Sequence, residues 1–346
     1  MAGGVSEALA LQPEPSRQPP IWFGVYRAVE RIAEGGMGVV YRGEDMRGGP
    51  AVAIKTVFTA READAAAIRR EIVTLSGLSH PGIVRLRGYG VQRGGPWVAL
   101  ELLDGRTLAD QMSWYWPEKT SRHGKRRARS DERPTAPVRA CREGPGPVAS
   151  LFPLAGGGQL AEAFAIVRQL CLALDHLHAR GIVHRDVKPS NVFLGNDGRT
   201  TLIDFGLACP ASATGGPDAD ICVGTMEYAA PEQICGGPVD HRADIYSLGC
   251  LLYELVTGRV PFQGDSSAEI AERQIGREAI APSQVIADVP SALDDLILSM
   301  LAKAPARRPD SAAEIARQLE RIERRQADTG DSIERRVRAA WFGWAG

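Results

Sequence analysis

The sequence lacks three features that would point to particular classes of protein. No run of about 18 consecutive apolar residues occurs in its 346 residues, so we expect no transmembrane segment. The six cysteines form no C-x-x-C pair, which argues against a zinc or redox site and favours reduced thiols in a cytoplasm. The charges nearly cancel, with 41 basic and 42 acidic residues, which argues against a dedicated nucleic-acid binder.

The length and composition are those of a globular chain with a large core. At roughly 150 residues per domain, the length corresponds to about two domains or two lobes of one. Hydrophobic residues make up 44% and charged residues 24%. Residues 1–20 lack the basic and apolar regions of a secretory signal and end in prolines, so we expect a disordered leader there.

The first large region, residues 21–103, is rich in strand patterns. Short β-branched and apolar runs, such as 52–54, are separated by glycines. One helix is expected at about 60–77, because apolar residues recur there at helical spacing and a glycine follows.

The second large region, residues 104–326, is richer in helical patterns. A buried apolar stripe predicts a helix at 160–179, and residues 244–257 are apolar nearly all round, as in a central helix. Ser311, with Glu314 three residues later, predicts the start of a charged helix that ends at about Gln326. Residues 327–346 then form a C-terminal tail, whose aromatics either pack on the body or contact a partner or membrane surface.

Residues 113–157 interrupt the second region. They are rich in Pro, Gly and Ser, and residues 118–147 contain nine Lys or Arg against four Asp or Glu. Because no periodic apolar face is present, we expect a disordered basic insertion. A docking patch for nucleic acid or an acidic partner is the alternative.

A glycine-rich turn between two apolar runs, residues 32–40, is followed fifteen residues later by Lys55. Glycines allow backbone N–H groups to approach phosphate oxygens closely, and a lysine on the next strand supplies a cation. The turn alone is more typical of an ordinary hairpin. Together with Lys55, it favours nucleotide binding.

A cluster of polar residues occupies His184–Asn191, and Asp204–Gly206 begins thirteen residues after it ends. Two strand-like runs, 192–194 and 201–203, flank a turn at 196–198, and this hairpin would hold the two polar segments side by side. Carboxylate and amide oxygens suit Mg²⁺ bound together with substrate phosphates. A polar loop between buried strands is the alternative.

These motifs resemble those of the eukaryotic-type (Hanks-type) serine/threonine protein kinases, in particular those of bacteria. The resemblance covers about residues 26–324, apart from the insertion. It implies an α+β fold with a small β-rich N-lobe and a larger α-helical C-lobe. It also implies transfer of the γ-phosphoryl group of ATP to Ser or Thr hydroxyls of proteins, with Mg²⁺ as metal cofactor.

The resemblance implies a nucleotide site between the lobes. Gly35 and Gly38 match the second and third glycines of the family's loop, whereas Ala33 stands in place of the first. Lys55 would contact the α and β phosphates and pair with Glu71.

Residues 96–103 resemble the last N-lobe strand and the connection to the C-lobe. Leu100 would lie beside the adenine, and backbone groups of Glu101 and Leu103 would bind the purine edge. The expected nucleotide-binding residues are Ile32, Ala33, Glu34, Gly35, Gly36, Met37, Gly38, Val40, Ala53, Lys55, Leu100, Glu101 and Leu103.

The resemblance also assigns the catalytic roles. Asp186 would accept the proton of the substrate hydroxyl, and Lys188 would stabilise charge on the transferred group. Asn191 and Asp204 would hold Mg²⁺. Thr225 would contact Asp186 and Lys188 and mark Ser/Thr specificity.

Three residues are expected to support this site. Glu232 should pair with Arg308 in a buried ion pair, and Asp244 should bind the backbone of the catalytic loop from beneath.

The resemblance also implies regulation by phosphorylation, because in the family an arginine directly before the catalytic aspartate, here Arg185 before Asp186, goes with such control. The expected acceptors are Ser212 or Thr214, modified by autophosphorylation within a transient homodimer. A pseudokinase that acts as a nucleotide-binding scaffold is the alternative function, and a kinase of small molecules or lipids is a third.

Overall fold

A computed structural model describes residues 20–35, 38–57, 62–92, 95–115, 158–210, 226–286 and 289–342. Residues 1–19 of the expected leader and most of the expected basic insertion lie outside these ranges. None of the helices within them is long and apolar enough to span a bilayer.

The N-terminal part is a six-stranded antiparallel sheet with one helix packed on it. The strand order is β1-β2-β3-β4-β6-β5, and helix α1 follows β4 in the chain. Helix α1 buries Ile68 and Leu75 against the sheet, and its bounds confirm the helix expected at about 60–77. The elements are β1 Ile21–Phe23, β2 Tyr26–Gly35, β3 Gly38–Asp45, β4 Val52–Thr56, α1 Glu62–Ser76, β5 Leu86–Gln92 and β6 Gly95–Glu101.

Strand β4 lies at the centre of this sheet and is buried along its whole length. Its Lys55 pairs with Val40 on one side and Val98 on the other, and Ala53 pairs with Leu100. Because side chains alternate along a strand, Ala53 and Lys55 share one face of the sheet. The sheet thereby brings four of the expected nucleotide-binding residues close together, namely Val40, Ala53, Lys55 and Leu100.

The C-terminal part is mainly helical and is built around one buried helix. Helix α5 is buried from Ala243 to Thr257, as its sequence predicted, and Gly258 ends it in the left-handed conformation with φ 74°. The helices are α2 Leu108–Tyr115, α3 Gly158–His178, α4 Pro231–Ile234, α5 Arg242–Thr257, α6 Ser267–Gly276, α7 Ser291–Met300 and α8 Ala312–Phe342.

Short strands place the polar segments at the boundary of the two parts. Strands β9 and β10 form the expected hairpin, and Gly198 in its turn has φ 80°. Strand β7 pairs with β9, and β8 pairs with β11. These strands are β7 Gly105–Thr107, β8 Ile182–Val183, β9 Val192–Gly195, β10 Thr200–Leu202 and β11 Cys209–Pro210.

Two boundaries differ from the expectations. Helix α8 begins as predicted, with Ser311 Oγ accepting from the Glu314 N–H at 3.2 Å, but it continues to Phe342 rather than ending at about Gln326. Residues 328–332 have low helix propensity, but the continuation contains no proline, and its last ten residues include three Arg and two Ala, which favour a helix. Helix α2 likewise continues to Tyr115, three residues into the expected insertion.

Candidate active site

Lys55 connects the two lobes through two carboxylates. Its Nζ lies 3.1 Å from Glu71 Oε2 on α1 and 3.0 Å from Asp204 Oδ1, which follows β10. The predicted ion pair between Lys55 and Glu71 is therefore present, and Asp204 joins it. Burial lowers the pKa of Lys55, but the attraction of Asp204 and Glu71 outweighs this effect and holds the pKa above its ordinary value. The Lys55 side chain is thus a buried, charged ammonium group that can bind an anion.

Asp186 lies in the loop before β9 and is held by two neighbours. Asn191 Nδ2 donates to Asp186 Oδ2 at 2.7 Å and to the Asp186 carbonyl at 2.9 Å, and Lys188 Nζ lies 3.0 Å from the same Oδ2. The other carboxylate oxygen, Oδ1, is buried without a hydrogen-bond partner among the described residues. One oxygen therefore fixes the side chain, and the other can accept a hydrogen bond from a bound group.

Asn191 and Asp204 lie side by side, because the Ile203 N–H donates to the Asn191 carbonyl at 2.9 Å. Since the Asn191 amide nitrogen is committed to Asp186, its amide oxygen is the atom that can face a metal. One amide oxygen and one carboxylate fit Mg²⁺, which usually takes few protein ligands and completes its shell with water and phosphate oxygens.

Asp244 binds the backbone of the catalytic loop, residues 184–191, as predicted. Its carboxylate accepts from the His184 N–H at 2.9 Å, from the Arg185 N–H at 2.8 Å, and contacts His178 Nε2 at 2.8 Å. Burial alone would raise the pKa of Asp244, but hydrogen bonds and charge from His178 and His184 hold it below its ordinary value. Arg185 has φ 66°, a strained conformation that these bonds support.

The glycine-rich turn joins β2 and β3. Gly38 has φ 146°, and a Cβ at this position would lie 2.2 Å from the Thr56 carbonyl oxygen, so only glycine fits. Within the turn, Ala33 pairs with Val40 and Glu34 with Val39. The expected contributions of Gly36 and Met37 lie outside the described residues.

The connection between the lobes contains Leu100, Glu101 and Leu103. Leu100 and Leu103 are buried. The Glu101 N–H donates to the Arg85 carbonyl at 2.8 Å, so a purine contact from Glu101 would come from its carbonyl. The remaining predicted residue of the loop, Ile32, is half-buried in β2.

The predicted pair Glu232–Arg308 is present and fully hydrogen-bonded. Arg308 donates to both Glu232 oxygens, at 2.6 and 2.8 Å. Its remaining donors reach the carbonyls of Ala302, Arg242 and Lys303 at 2.8 to 3.1 Å. All five guanidinium N–H groups are therefore used.

Two supporting residues were missed by sequence reasoning. Gln233 Nε2 donates to the Arg185 carbonyl at 3.0 Å and so ties α4 to the catalytic loop. Arg70 Nε donates to the Gly206 carbonyl at 2.8 Å and so ties α1 to the segment after Asp204. The only signal in the sequence is that Gln233 follows Glu232 and Arg70 precedes Glu71. Thr225, Ser212 and Thr214 lie outside the described residues.

The comparisons with known proteins agree with this geometry. The sequence pattern of the protein kinase domain matches residues 26–319. The Serine/threonine-protein kinase PknD of Mycobacterium tuberculosis is 35% identical over 298 residues, which cover 85% of this chain and 39% of PknD. PknB of Mycolicibacterium smegmatis is 32% identical over 89% of this chain and 44% of PknB.

PknL of Mycobacterium tuberculosis, also named a serine/threonine-protein kinase, is 33% identical over 86% of this chain and 65% of PknL. The chain thus spans about two fifths of the length of PknD and PknB and just under two thirds of PknL. These similarities confirm the expected resemblance and the two-lobed kinase fold. The chain belongs to the protein kinase domain family.

Proposed function

We propose that the chain is an ATP- and Mg²⁺-dependent protein kinase that phosphorylates Ser and Thr hydroxyls of proteins. The observation that carries this proposal is the connected set of Lys55, Glu71 and Asp204 beside Asp186 and Asn191. The similarity to bacterial relatives named serine/threonine-protein kinases supports it.

Lys55 and the glycine-rich turn would bind the triphosphate. The buried ammonium of Lys55 would contact phosphate oxygens while Glu71 and Asp204 hold it in place. Gly38 lets the turn fold closely over β4, so that its N–H groups can face the phosphates. Leu100 and Ala53 would provide an apolar surface for the purine.

Asp186 would orient the acceptor hydroxyl and accept its proton at Oδ1. Because phosphoryl transfer depends mainly on positioning and on stabilising charge, a fixed carboxylate is suited to this role. Asn191 fixes Asp186 through Oδ2, and Lys188, whose Nζ lies 3.0 Å from the same oxygen, would stabilise charge on the transferred group. Lys188 and Thr225 are the basis for expecting Ser/Thr specificity.

Asn191 and Asp204 would hold Mg²⁺. When bound, Mg²⁺ supplies positive charge that neutralises the phosphate oxygens during transfer. The contact of Lys55 with Asp204 keeps that carboxylate aligned with the phosphate site.

We also propose control by autophosphorylation at Ser212 or Thr214, between two copies that associate transiently. Arg185 is buried directly before Asp186, and a phosphate dianion bound by it would couple the phosphorylated segment to the catalytic loop. Mapping of phosphosites after incubation with Mg-ATP checks this, and an active enzyme modified at neither residue would contradict it.

A cytoplasmic location remains part of the proposal. Cys171 and Cys250 are buried free thiols, as is usual in reducing compartments. Cell fractionation with an antibody against the chain would test it, and recovery outside the cytoplasm would contradict it.

The decisive experiment measures transfer of labelled γ-phosphate to a generic basic protein, with Asp186→Asn as the matched control. We expect transfer by the wild type, a loss of at least about 100-fold in the variant, and ATP affinity unchanged within about twofold. Equal labelling in both would contradict the role of Asp186. ATP binding without transfer in the wild type would favour the pseudokinase.

A further inference from the structure

A chain of directed hydrogen bonds runs from Lys303 to the segment that precedes α4. Lys303 Nζ donates to Tyr246 Oη at 3.1 Å, and Tyr246 Oη donates to Gln274 Oε1. Gln274 Nε2 then donates to the carbonyls of Met226 at 3.3 Å and Glu227 at 2.7 Å. These hydrogen bonds connect four segments that are distant from one another in the sequence.

The direction of this chain follows from the chemistry of Lys303. An ammonium group has only donors, so the Tyr246 hydroxyl must act as an acceptor towards it. The single hydroxyl hydrogen is then available for Gln274 Oε1. This orients the amide so that its NH₂ group points towards the two carbonyls.

The inner members of the chain are fully enclosed. Tyr246 and Gln274 are both 0% exposed, so water cannot replace a lost hydrogen bond there. A buried polar group that loses its partner is costly. Gln274 also forms a side-chain hydrogen bond with Cys250, but its amide oxygen is oriented by the hydroxyl of Tyr246, and the hydroxyl is oriented by Lys303.

Lys303 itself is held in an aromatic setting at the protein surface. Its Nζ lies 3.8 Å from the centre of the Phe262 ring and 5.5 Å from that of Tyr246, and the residue is half-buried. Burial lowers the pKa of Lys303 to about 8, while Cys250 and Glu278 oppose this and Arg308 adds to it. The hydroxyl and the ring faces thus fix the position of a poorly hydrated cation.

The segment at the end of this chain lies next to the catalytic loop. Residues 226–229 are followed by Ala230, whose N–H donates to Gln233 Oε1 at 3.1 Å, and Gln233 donates to the Arg185 carbonyl. Tyr228 is fixed separately, since its carbonyl accepts from Ser247 Oγ at 2.8 Å. Gln274 is the side chain that binds the backbone at 226 and 227, where the Met226 carbonyl also accepts from the Ala229 N–H at 3.3 Å.

We propose that Lys303, Tyr246 and Gln274 are positioning residues that hold the backbone at 226–227 for binding of the peptide substrate, a role that rests on the proposed kinase function. None of the three is among the residues expected to contact ATP or the reacting groups. This series of hydrogen bonds affects the affinity for the peptide substrate and does not affect the rate of phosphoryl transfer.

The test uses full-length variants in a steady-state peptide assay. Tyr246→Phe keeps the ring but removes the hydroxyl, and Lys303→Met removes the donors but keeps a stem of similar length. Each should raise KM for the peptide about 5- to 30-fold, with kcat and KM for ATP changed less than about twofold. The double variant should have a KM for the peptide no higher than that of the poorer single variant, because both substitutions interrupt the same series of hydrogen bonds.

Two further variants separate this role from general damage. Lys303→Arg keeps a donor-only cation and should restore KM to within about twofold of the wild type. Arg307→Gln removes an exposed positive charge nearby and should leave kcat and both KM values unchanged. An equal loss in Lys303→Arg and Lys303→Met, or additive losses in the double variant, would overturn the proposal.

Hydrogen exchange of the backbone amides provides a readout that does not need activity. Tyr246→Phe and Lys303→Met should speed exchange at 226–230 about 5- to 30-fold, whereas Arg307→Gln should not. Unchanged exchange would overturn the proposal even in an active enzyme. Faster exchange in a protein that transfers no phosphate would instead contradict the proposed function alone.

Discussion

Glu232→Gln perturbs the buried ion pair that joins α4 to the segment before α8. The Arg308 side chain is 0% exposed and that of Glu232 10% exposed, so solvent does not screen the pair. The substitution keeps the shape of the side chain but removes the charge that balances the guanidinium. The glutamine side chain would also offer only one acceptor oxygen for the two N–H groups that Glu232 now receives.

The expected magnitude follows from this geometry. Removing one partner of a buried, hydrogen-bonded ion pair costs about 3–5 kcal/mol of the free energy of unfolding. Arg308→Lys should cost a similar amount, because an ammonium has at most three donors for the five hydrogen bonds that Arg308 makes. At roughly 2–4 °C per kcal/mol, each variant should lower Tm by roughly 6–20 °C.

The assay is urea unfolding followed by tryptophan fluorescence, with Tm from calorimetry. Arg242→Gln serves as the control, because its pairs with Asp240 and Asp310 are partly exposed and should contribute about 0–1 kcal/mol. A loss below about 1 kcal/mol in Glu232→Gln would show that the pair is more solvated than its burial indicates. That result would refute the reasoning.

Three further predictions concern the site and its surroundings. Gly38→Ala should raise KM for ATP at least about tenfold, because its Cβ would meet the Thr56 carbonyl, whereas Gly77→Ala, with open space around it, should not. Asp244→Asn should lower kcat at least about tenfold, since its NH₂ group would face backbone donors, and a full-rate variant would contradict this. The pKa of Lys303, measured by the pH dependence of amine labelling, should be about 8. The unfolded state then binds the extra proton between pH 8 and about 10.5, so this group makes the free energy of unfolding rise with pH there.

The sequence predicted the parts of the site that are carried by compact motifs. Lys55 and Glu71 are 16 residues apart, and the resemblance to the protein kinases was enough to predict that they pair. Helix α5 was predictable because its residues are apolar nearly all round, which only a helix covered on every side allows. The hairpin of β9 and β10 was predictable from its turn at 196–198.

Other features could not be predicted because they depend on contacts between distant segments. Lys303, Tyr246 and Gln274 come from a loop and two helices, and no local pattern marks any of them as part of a shared hydrogen-bond chain. Gln233 and Arg70 contact backbone carbonyls, which the sequence does not distinguish from one another. The end of α8 was misplaced because residues 328–332 have low helix propensity, yet none of them is a proline that would end the helix.

The most direct test of the account is a crystal structure of the protein with Mg²⁺ and a non-hydrolysable ATP analogue. We expect the metal on the oxygens of Asn191 and Asp204, the α and β phosphates at Lys55, and the γ phosphate facing Asp186 Oδ1. A triphosphate bound elsewhere, or a γ phosphate on the far side of Lys55 from Asp186, would contradict the account.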